Sequence, residues 1–311
     1  MTIESVVLKR TALFCNTVIF MSDYICALCP RRCSAARSDT QGRGYCGLGT
    51  LPRVARCAPH FWEEPCISGT KGSGTIFFTG CVLSCVFCQN YAISQERHGR
   101  TLTVEQLSDE IKRLEEQGVH NINLVSPTPY IESIIRCFEL YKPEIPVVYN
   151  TGGYERPQTL RRLEGIVDIY LPDMKYIDPE LSKRFSGAED YPEAALLAIK
   201  EMVRQTGAPV FDDDGMMKSG TIVRHLILPQ HTKNSIGVLE LLKREFDKDI
   251  LVSLMGQYIP MGRASEFKEL GRRITAREYD KVLMKYEELG LDGYVQELSS
   301  AKESYVPDFD I

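Results

Sequence analysis

The chain has 311 residues, a formal net charge of −5, 43% hydrophobic and 25% charged residues. These values fit a globular protein of one large domain or two with a sizeable core, and the slight acidity gives no global case for a nucleic-acid or anionic-membrane ligand. With no run of about 18 apolar residues, no membrane span is expected. Of eleven cysteines, all but Cys137 lie before residue 89, a clustering that reads as metal binding in a reducing cytoplasm and not as a disulfide scaffold.

Residues 1–22 carry Lys9-Arg10 and then an apolar stretch from Thr11 to Met21, interrupted by Asn16 and lacking a small-residue cleavage site. They read as an extension: a first strand or helix, or the product of a start upstream of Met21. Residues 23–72 are rich in cysteine, glycine and arginine without sustained periodicity, and are expected to form a small lobe held by metal more than by a core. Cys26, Cys29, Cys33 and Cys46 offer four thiols, the first two in a CxxC turn that can face one ion. Zinc and a second iron–sulfur cluster both suit such a set, the first three spacings leaning toward iron. Cys57 and Cys66 are substitutes or bystanders.

Arg31, Arg32, Arg37, Arg43, Arg53 and Arg56 are set against one acid between residues 31 and 56, Asp39. A basic metal knuckle can bind nucleic acid, but few aromatics are present to stack on bases, and a solvated basic face is the plainer reading. His60-Phe61-Trp62-Glu63-Glu64-Pro65 then leads to the bend marked by Gly69, Gly72 and Gly74. His60 and Glu63 are open either to metal or substrate contact or to packing within a connector.

From residue 73 to 264, short β-rich runs alternate with helical ones. Strands are expected at 75–79, 122–126, 146–151, 167–172, 221–228 and 250–254, and helices at 129–141, 157–164, 190–206 and 234–246. One more helix opens at the Thr103–Gln106 capping box, with Val104, Leu107, Ile111 and Leu114 on one face. Six β–α units in a row argue for the α/β class: a parallel sheet with right-handed crossovers, forming a partial, open (β/α)6 TIM-like barrel. Polar clusters recur at the carboxyl ends of the strands, where chemistry collects in such barrels: Ser126-Pro127-Thr128, Asn150-Thr151-Gly152-Gly153, Asp173-Met174-Lys175 and Met255-Gly256-Gln257, with Arg224-His225 on the fifth strand. Asp212-Asp213-Asp214-Gly215 reads as a solvated turn. Residues 265–311 supply a last helix, opened by the Thr275–Glu278 capping box and stopped at Gly290, and a tail expected to pack on the barrel.

The first strand runs into Gly80-Cys81-Val82-Leu83-Ser84-Cys85-Val86-Phe87-Cys88-Gln89-Asn90. Three thiols at these spacings can hold three irons of a cubane cluster and leave the fourth open to a ligand; a zinc site completed by a distant ligand, or three buried thiols, are the alternatives. A CxxxCxxC triplet with an aromatic before its third cysteine resembles the radical S-adenosylmethionine (SAM) superfamily. Together with Cys-x-x-Cys-Pro-Arg-x-Cys, His60 to Pro65 and Tyr170 to Lys175, it makes residues 24–300 look like the activating enzymes of glycyl-radical enzymes, in a branch with an N-terminal cysteine lobe.

The resemblance implies that Cys81, Cys85 and Cys88 bind a [4Fe–4S] cluster whose open iron takes the methionine end of SAM, and that the Phe87 backbone meets the adenine. Asn150 and Thr151 stand where these enzymes have an Asp-Thr pair near SAM. Asp173 and Lys175 match a motif that holds the SAM carboxylate, the aspartate partly through a monovalent cation, and Arg224 matches an arginine on the fifth strand. A glycine-glycine-glutamate segment that receives the SAM amino group is replaced by Ser126-Pro127-Thr128, which leaves Ser126 and Thr128 as candidates at that tip.

Such an enzyme takes an electron from a low-potential donor of flavodoxin or ferredoxin type and converts SAM to methionine and a 5′-deoxyadenosyl radical, which abstracts hydrogen from its substrate. The resemblance makes the backbone glycine of a partner glycyl-radical enzyme the leading substrate. Radical modification of a small molecule or of another protein is the alternative among enzymes. A non-catalytic zinc or iron–sulfur binding module is the alternative outside them.

Overall fold

The computed structural model describes residues 24–296 and Phe309. The extension expected at 1–22 and nearly all of the C-terminal tail lie outside the described residues. In chain order come β1 (Tyr24–Cys26), β2 (Ala35–Arg37), β3 (Arg53–His60), α1 (Pro65–Ser68), β4 (Ser73–Phe78), α2 (Tyr91–Ser94), β5 (Arg100–Thr101), α3 (Val104–Glu116), β6 (Ile122–Val125), α4 (Ile131–Leu140) and β7 (Val147–Thr151). The second half holds α5 (Pro157–Leu160), β8 (Ile169–Pro172), α6 (Pro179–Ser186), α7 (Tyr191–Thr206), β9 (Val210–Phe211), β10 (Met217–Leu226), α8 (Thr232–Phe246), β11 (Leu251–Met255), α9 (Ala276–Glu288) and β12 (Gly293–Val295).

One large sheet runs β12-β11-β10-β8-β7-β6-β4-β3-β5. The strands from β4 to β12 along this path are all parallel, and the six expected strands are β4, β6, β7, β8, β10 and β11. Neighbours in the sheet follow chain order, as right-handed β–α units require. β5 and β12 end the path at opposite edges, so the barrel is open. The sheet is wider than expected at both edges: β12 adds a parallel strand, and β3 and β5 add antiparallel ones. β3 comes from the cysteine-rich stretch, whose half-buried residues carry no alternation to announce a strand.

Local chemistry sets the elements. The Thr103 hydroxyl accepts from Gln106 N while the Gln106 side chain accepts from Thr103 N, and Thr275 and Glu278 do the same at α9, so both expected capping boxes form. The Asp212–Gly215 run is the turn of a β9–β10 hairpin, with the Asp212 carboxylate accepting from the backbone of Asp214 and Met216.

Strand residues alternate between two environments, as the period of two demands. Ile76, Phe78, Ile122, Leu124, Tyr149 and Tyr170 face outward into the core under α3 and α4. Val148, Ile169, Leu171 and Ile222 face inward and pack with Cys66 and Ile67 of α1. The short α1 therefore fills the lower part of the barrel, and Asn121, just before β6, donates to the Ile67 carbonyl at 2.7 Å. The next inward positions toward the carboxyl ends are Asn150, Asp173 and Arg224. The apolar packing stops there and the polar site begins.

Candidate active site

A cavity of about 250 Å³ opens at the carboxyl ends of the parallel strands. Cys81, Cys85 and Cys88 share its wall with Phe87, Ser126, Asn150 and Thr151, and with Asp173, Lys175 and Arg224. Every cofactor-site residue expected from the sequence lines it except Thr128.

The cysteine loop is held by its neighbours. Ser84 and Val86 donate backbone N–H groups to Ser186 and Phe185 at the end of α6, at 3.2 and 2.9 Å, and Cys88 N closes a turn on Cys85 O at 3.2 Å. Each thiol has a polar companion: Leu83 N donates to Cys81 Sγ at 3.4 Å, Ser94 Oγ donates to Cys88 Sγ at 3.3 Å, and Cys85 Sγ and Ser186 Oγ are 3.0 Å apart. Burial raises all three thiols, Cys81 to about 12 and Cys88 to about 11, while Lys175 pulls each of them down. Metal binding here displaces protons.

Among the described residues no three Cys, His, Asp or Glu side chains close on a single-ion point. Three soft donors spread along one wall, with hydrogen-bond donors on their sulfurs and a lysine beside them, fit a [4Fe–4S] cluster, which presents its irons at separate corners.

Lys175 pairs with Asp173, and both side chains are mostly buried. Burial works against the ammonium, but Asp173 and then Cys85 outweigh it, so Lys175 stays charged. The Tyr191 hydroxyl fixes this corner: it accepts from Lys175 N at 3.0 Å and lies 2.9 Å from the Asp173 carbonyl. Buried His225, lowered to about 4 chiefly by burial, bonds the Met174 carbonyl through Nδ1 at 2.7 Å.

Arg224 sits near the carboxyl end of β10 and is bound by acids from the segment before α1. Its guanidinium donates to Glu64 Oε1 and Oε2 at 2.8 and 2.6 Å, and to Glu63 Oε2. Glu63 Oε1 accepts from Asn123 Nδ2 at 2.9 Å and from Asn150 Nδ2 at 3.3 Å, while Asn150 Oδ1 accepts from Arg224 at 3.5 Å. Asn150 thus bridges an acid and a base. An amide does this and a carboxylate cannot, which accounts for asparagine where the resemblance offers aspartate.

Ser126 lines the cavity in the left-handed region, φ 58°. Thr128 is buried elsewhere: its hydroxyl donates to Glu155 Oε1 at 2.5 Å, and the Thr151 hydroxyl reaches the same oxygen at 2.6 Å. Burial lifts the Glu155 carboxyl to about 7 against the pull of both threonines.

Sequence reading missed Glu64, Glu155, Ser94 and Ser186, and left His60 and Glu63 open; both of these line the cavity. The adjacent acids before Pro65 were the available signal, since an arginine expected inside a barrel needs a carboxylate. Cys57 packs at the edge of the outer core and Cys66 in the barrel interior, so neither joins a thiol set. Cys26, Cys29, Cys33 and Cys46 line one small cavity under the cysteine loop.

The uncharacterized protein MJ0674 of Methanocaldococcus jannaschii is 29% identical over 276 residues, 86% of this chain and 75% of its own length. The crystal structure of Streptococcus suis SuiB bound to the precursor peptide SuiA shares the fold with TM-score 0.50 at 13% identity, over 72% of this chain and 48% of SuiB; this chain spans about half the length of that protein. The structure of methylornithine synthase (PylB) matches with TM-score 0.49 and 15% identity over 77% of each chain. No helix among the described residues is long and apolar enough to cross a membrane. The sequence profile of the Radical SAM superfamily matches residues 75–253, from the first parallel strand through the sixth and across the cysteine loop, and the chain belongs to that superfamily.

Proposed function

We propose that this protein cleaves SAM reductively beside Cys81, Cys85 and Cys88 and installs a glycyl radical on a partner enzyme. The observation that carries the reading is the single cavity shared by the three thiols and by residues from the carboxyl ends of β6, β7, β8 and β10. When bound, the cluster supplies the electron that breaks a C–S bond of SAM and yields methionine and a 5′-deoxyadenosyl radical.

The chain's own task is to bind, orient and shield. Lys175, held by Asp173, offers a fixed cation to the SAM carboxylate. Buried Phe87, 6.1 Å from the Tyr258 ring, gives an apolar wall for the adenine. Glu63, Glu64 and Arg224 form a rigid floor, and no side chain needs to move a proton for the cleavage.

A polypeptide substrate is supported by the mouth of the cavity. Trp62 lines it while 55% exposed; a large exposed aromatic at a cleft favours a protein surface. In this reading residues 23–72 act as a metal-binding lobe, residues 73–264 as the catalytic barrel, and the electron comes from a flavodoxin- or ferredoxin-type donor in the cytoplasm.

The test is anaerobic: reconstitute the chain with iron and sulfide, add SAM and a strong reductant, and follow 5′-deoxyadenosine. Wild type should form it and a Cys81→Ala, Cys85→Ala, Cys88→Ala variant should not; a fully loaded wild type that forms none sinks the cleavage. Formation of 5′-deoxyadenosine without a glycyl-radical signal by electron paramagnetic resonance on co-incubated glycyl-radical enzymes sinks the substrate assignment and leaves the cleavage standing.

A further inference from the structure

The lobe contains a buried charge that its neighbours among the described residues do not balance. Arg37 is 3% exposed. Its guanidinium donates to the carbonyls of Leu48 at 2.9 Å, Pro129 at 2.7 Å and Gly49, and Nη1 points at Cys26 Sγ at 3.7 Å. None of these partners is a carboxylate. A buried cation without an anion is costly, and carbonyl dipoles only partly offset the loss of water.

Four thiols share one cavity with that charge. Arg37 and Arg31 line it together with Cys26, Cys29, Cys33 and Cys46. Arg31 likewise has no acid among its bonded partners: it donates to the carbonyls of Val82 at 3.0 Å and Gly187 at 2.5 Å, stacks over Tyr45 at 3.9 Å, and keeps a buried Nη2 without a partner. As neutral thiols the four cysteines offer these arginines at most the weak bond from Arg37 to Cys26 and no counter-charge. As thiolates on one divalent ion they leave two net negative charges, one for each arginine.

We infer that Cys26, Cys29, Cys33 and Cys46 form a closed four-thiolate site for a single zinc-type ion, separate from the active site. Size favours an ion over a second cluster. The lobe cavity holds about 10 Å³, the space of roughly one water molecule, against about 250 Å³ beside the other cysteine triplet. A single ion needs only a turn of side chains there, whereas a cubane of four irons and four sulfides would need the lobe to open. The thiols line the cavity without closing to single-ion distances, as is also true of the triplet, so the space and not the spread of the sulfurs separates the two sites, and ion binding would turn these side chains inward.

The ion would brace the active-site loop. Besides Arg31 on Val82, Tyr45 donates its hydroxyl to Ser84 Oγ at 2.7 Å. A Cβ on Gly80, whose φ is +78°, would collide with the Leu48 side chain, so the lobe sits tightly on the loop that carries Cys81 and Cys85. The metal assignment does not depend on the proposed reaction.

Elemental analysis of the full-length chain tests it. Zinc should be present at about one ion per chain in the wild type and in the Cys81→Ala, Cys85→Ala, Cys88→Ala variant, and be lost in Cys29→Ser, Cys46→Ser. Because that last variant can fail to fold, the unaltered chain, stripped of metal and titrated with Co2+, provides a second reading: ligand-field bands of tetrahedral thiolate-bound cobalt should appear and be erased by zinc. Equal zinc in wild type and lobe variant, or a folded wild type without those bands, overturns the site. Iron and sulfide retained by the triplet variant overturn the single-ion assignment.

Discussion

Arg224 and Glu64, 160 residues apart in the chain, meet fork to fork inside the barrel at 2.8 and 2.6 Å. Burial alone would raise the Glu64 carboxyl, but the charge and hydrogen bonds of Arg224 hold it below the usual range. Glu63 adds a second carboxylate to the same guanidinium. The pairing ties the segment before α1 to β10 and so fixes how the chain enters the barrel.

Removing Arg224 leaves two mostly buried carboxylates facing each other beside the cavity. Arg224→Met is expected to destabilise the folded chain by about 3–5 kcal/mol, the range for breaking a buried pair from one side. Adding Glu63→Gln and Glu64→Gln should recover part of the loss, because the uncompensated charge goes with them. Denaturant unfolding of the three proteins measures this. A loss for Arg224→Met under about 1 kcal/mol would mean that water reaches the triad and the pair is worth no more than a surface one.

Asn150→Asp probes the same network by charge alone. The amide nitrogen that donates to Glu63 would become a carboxylate oxygen, turning an attraction into repulsion beside Arg224. A loss of about 1–3 kcal/mol is expected, the cost of a spoiled buried polar contact. If instead the Asn150→Asp variant proves neutral or stabilising in thermal unfolding, Arg224 has charge to spare for a third acid.

Lys175 places the one ammonium beside the cysteine triplet among the residues that shift those thiols, and it acts on all three. Lys175→Met should retain most of its iron, since the thiols remain, and lose SAM cleavage by about 10- to 100-fold, as a charge-assisted hydrogen bond of roughly 1.5–3 kcal/mol implies. Iron content and 5′-deoxyadenosine formation, measured on one preparation, separate the two roles. Equal loss of both would assign the lysine to cluster assembly.

The sequence was informative where periodicity or spacing speaks locally. Six of the seven parallel strands, both capping boxes and the shared cavity wall of Cys81, Cys85, Cys88, Asp173 and Lys175 were readable, because strand tips and a short-range cysteine pattern need no distant partner to be recognised. The edges of the sheet were not: β3 is half buried and antiparallel, and β12 is three residues, Gly-Tyr-Val. Thr128 could not be assigned from its position at a strand tip, since its direction is set by Glu155, twenty-seven residues on. Long-range polar pairing, as between Glu64 and Arg224, leaves no periodic trace in either segment.

Glu155 joins two strand tips through one proton-sensitive group. One of its oxygens accepts both the Thr128 and the Thr151 hydroxyls, at 2.5 and 2.6 Å, with Tyr149 beside it and Cys29 of the lobe within electrostatic reach. Burial pushes its carboxyl from the ordinary 4.5 up to about 7, the threonines and Tyr149 opposing. A raised carboxyl binds its proton more tightly when folded, so its contribution to stability is fully present below about pH 4.5 and is lost as pH rises through about 7. The expected outcome is that wild type loses stability between these values relative to Glu155→Gln, which carries no such proton and should vary less with pH over that interval. Urea unfolding of both proteins at pH 5, 6, 7 and 8 measures the difference; parallel curves would mean that the carboxylate is ionised throughout and the threonine hydroxyls hold it as a charge.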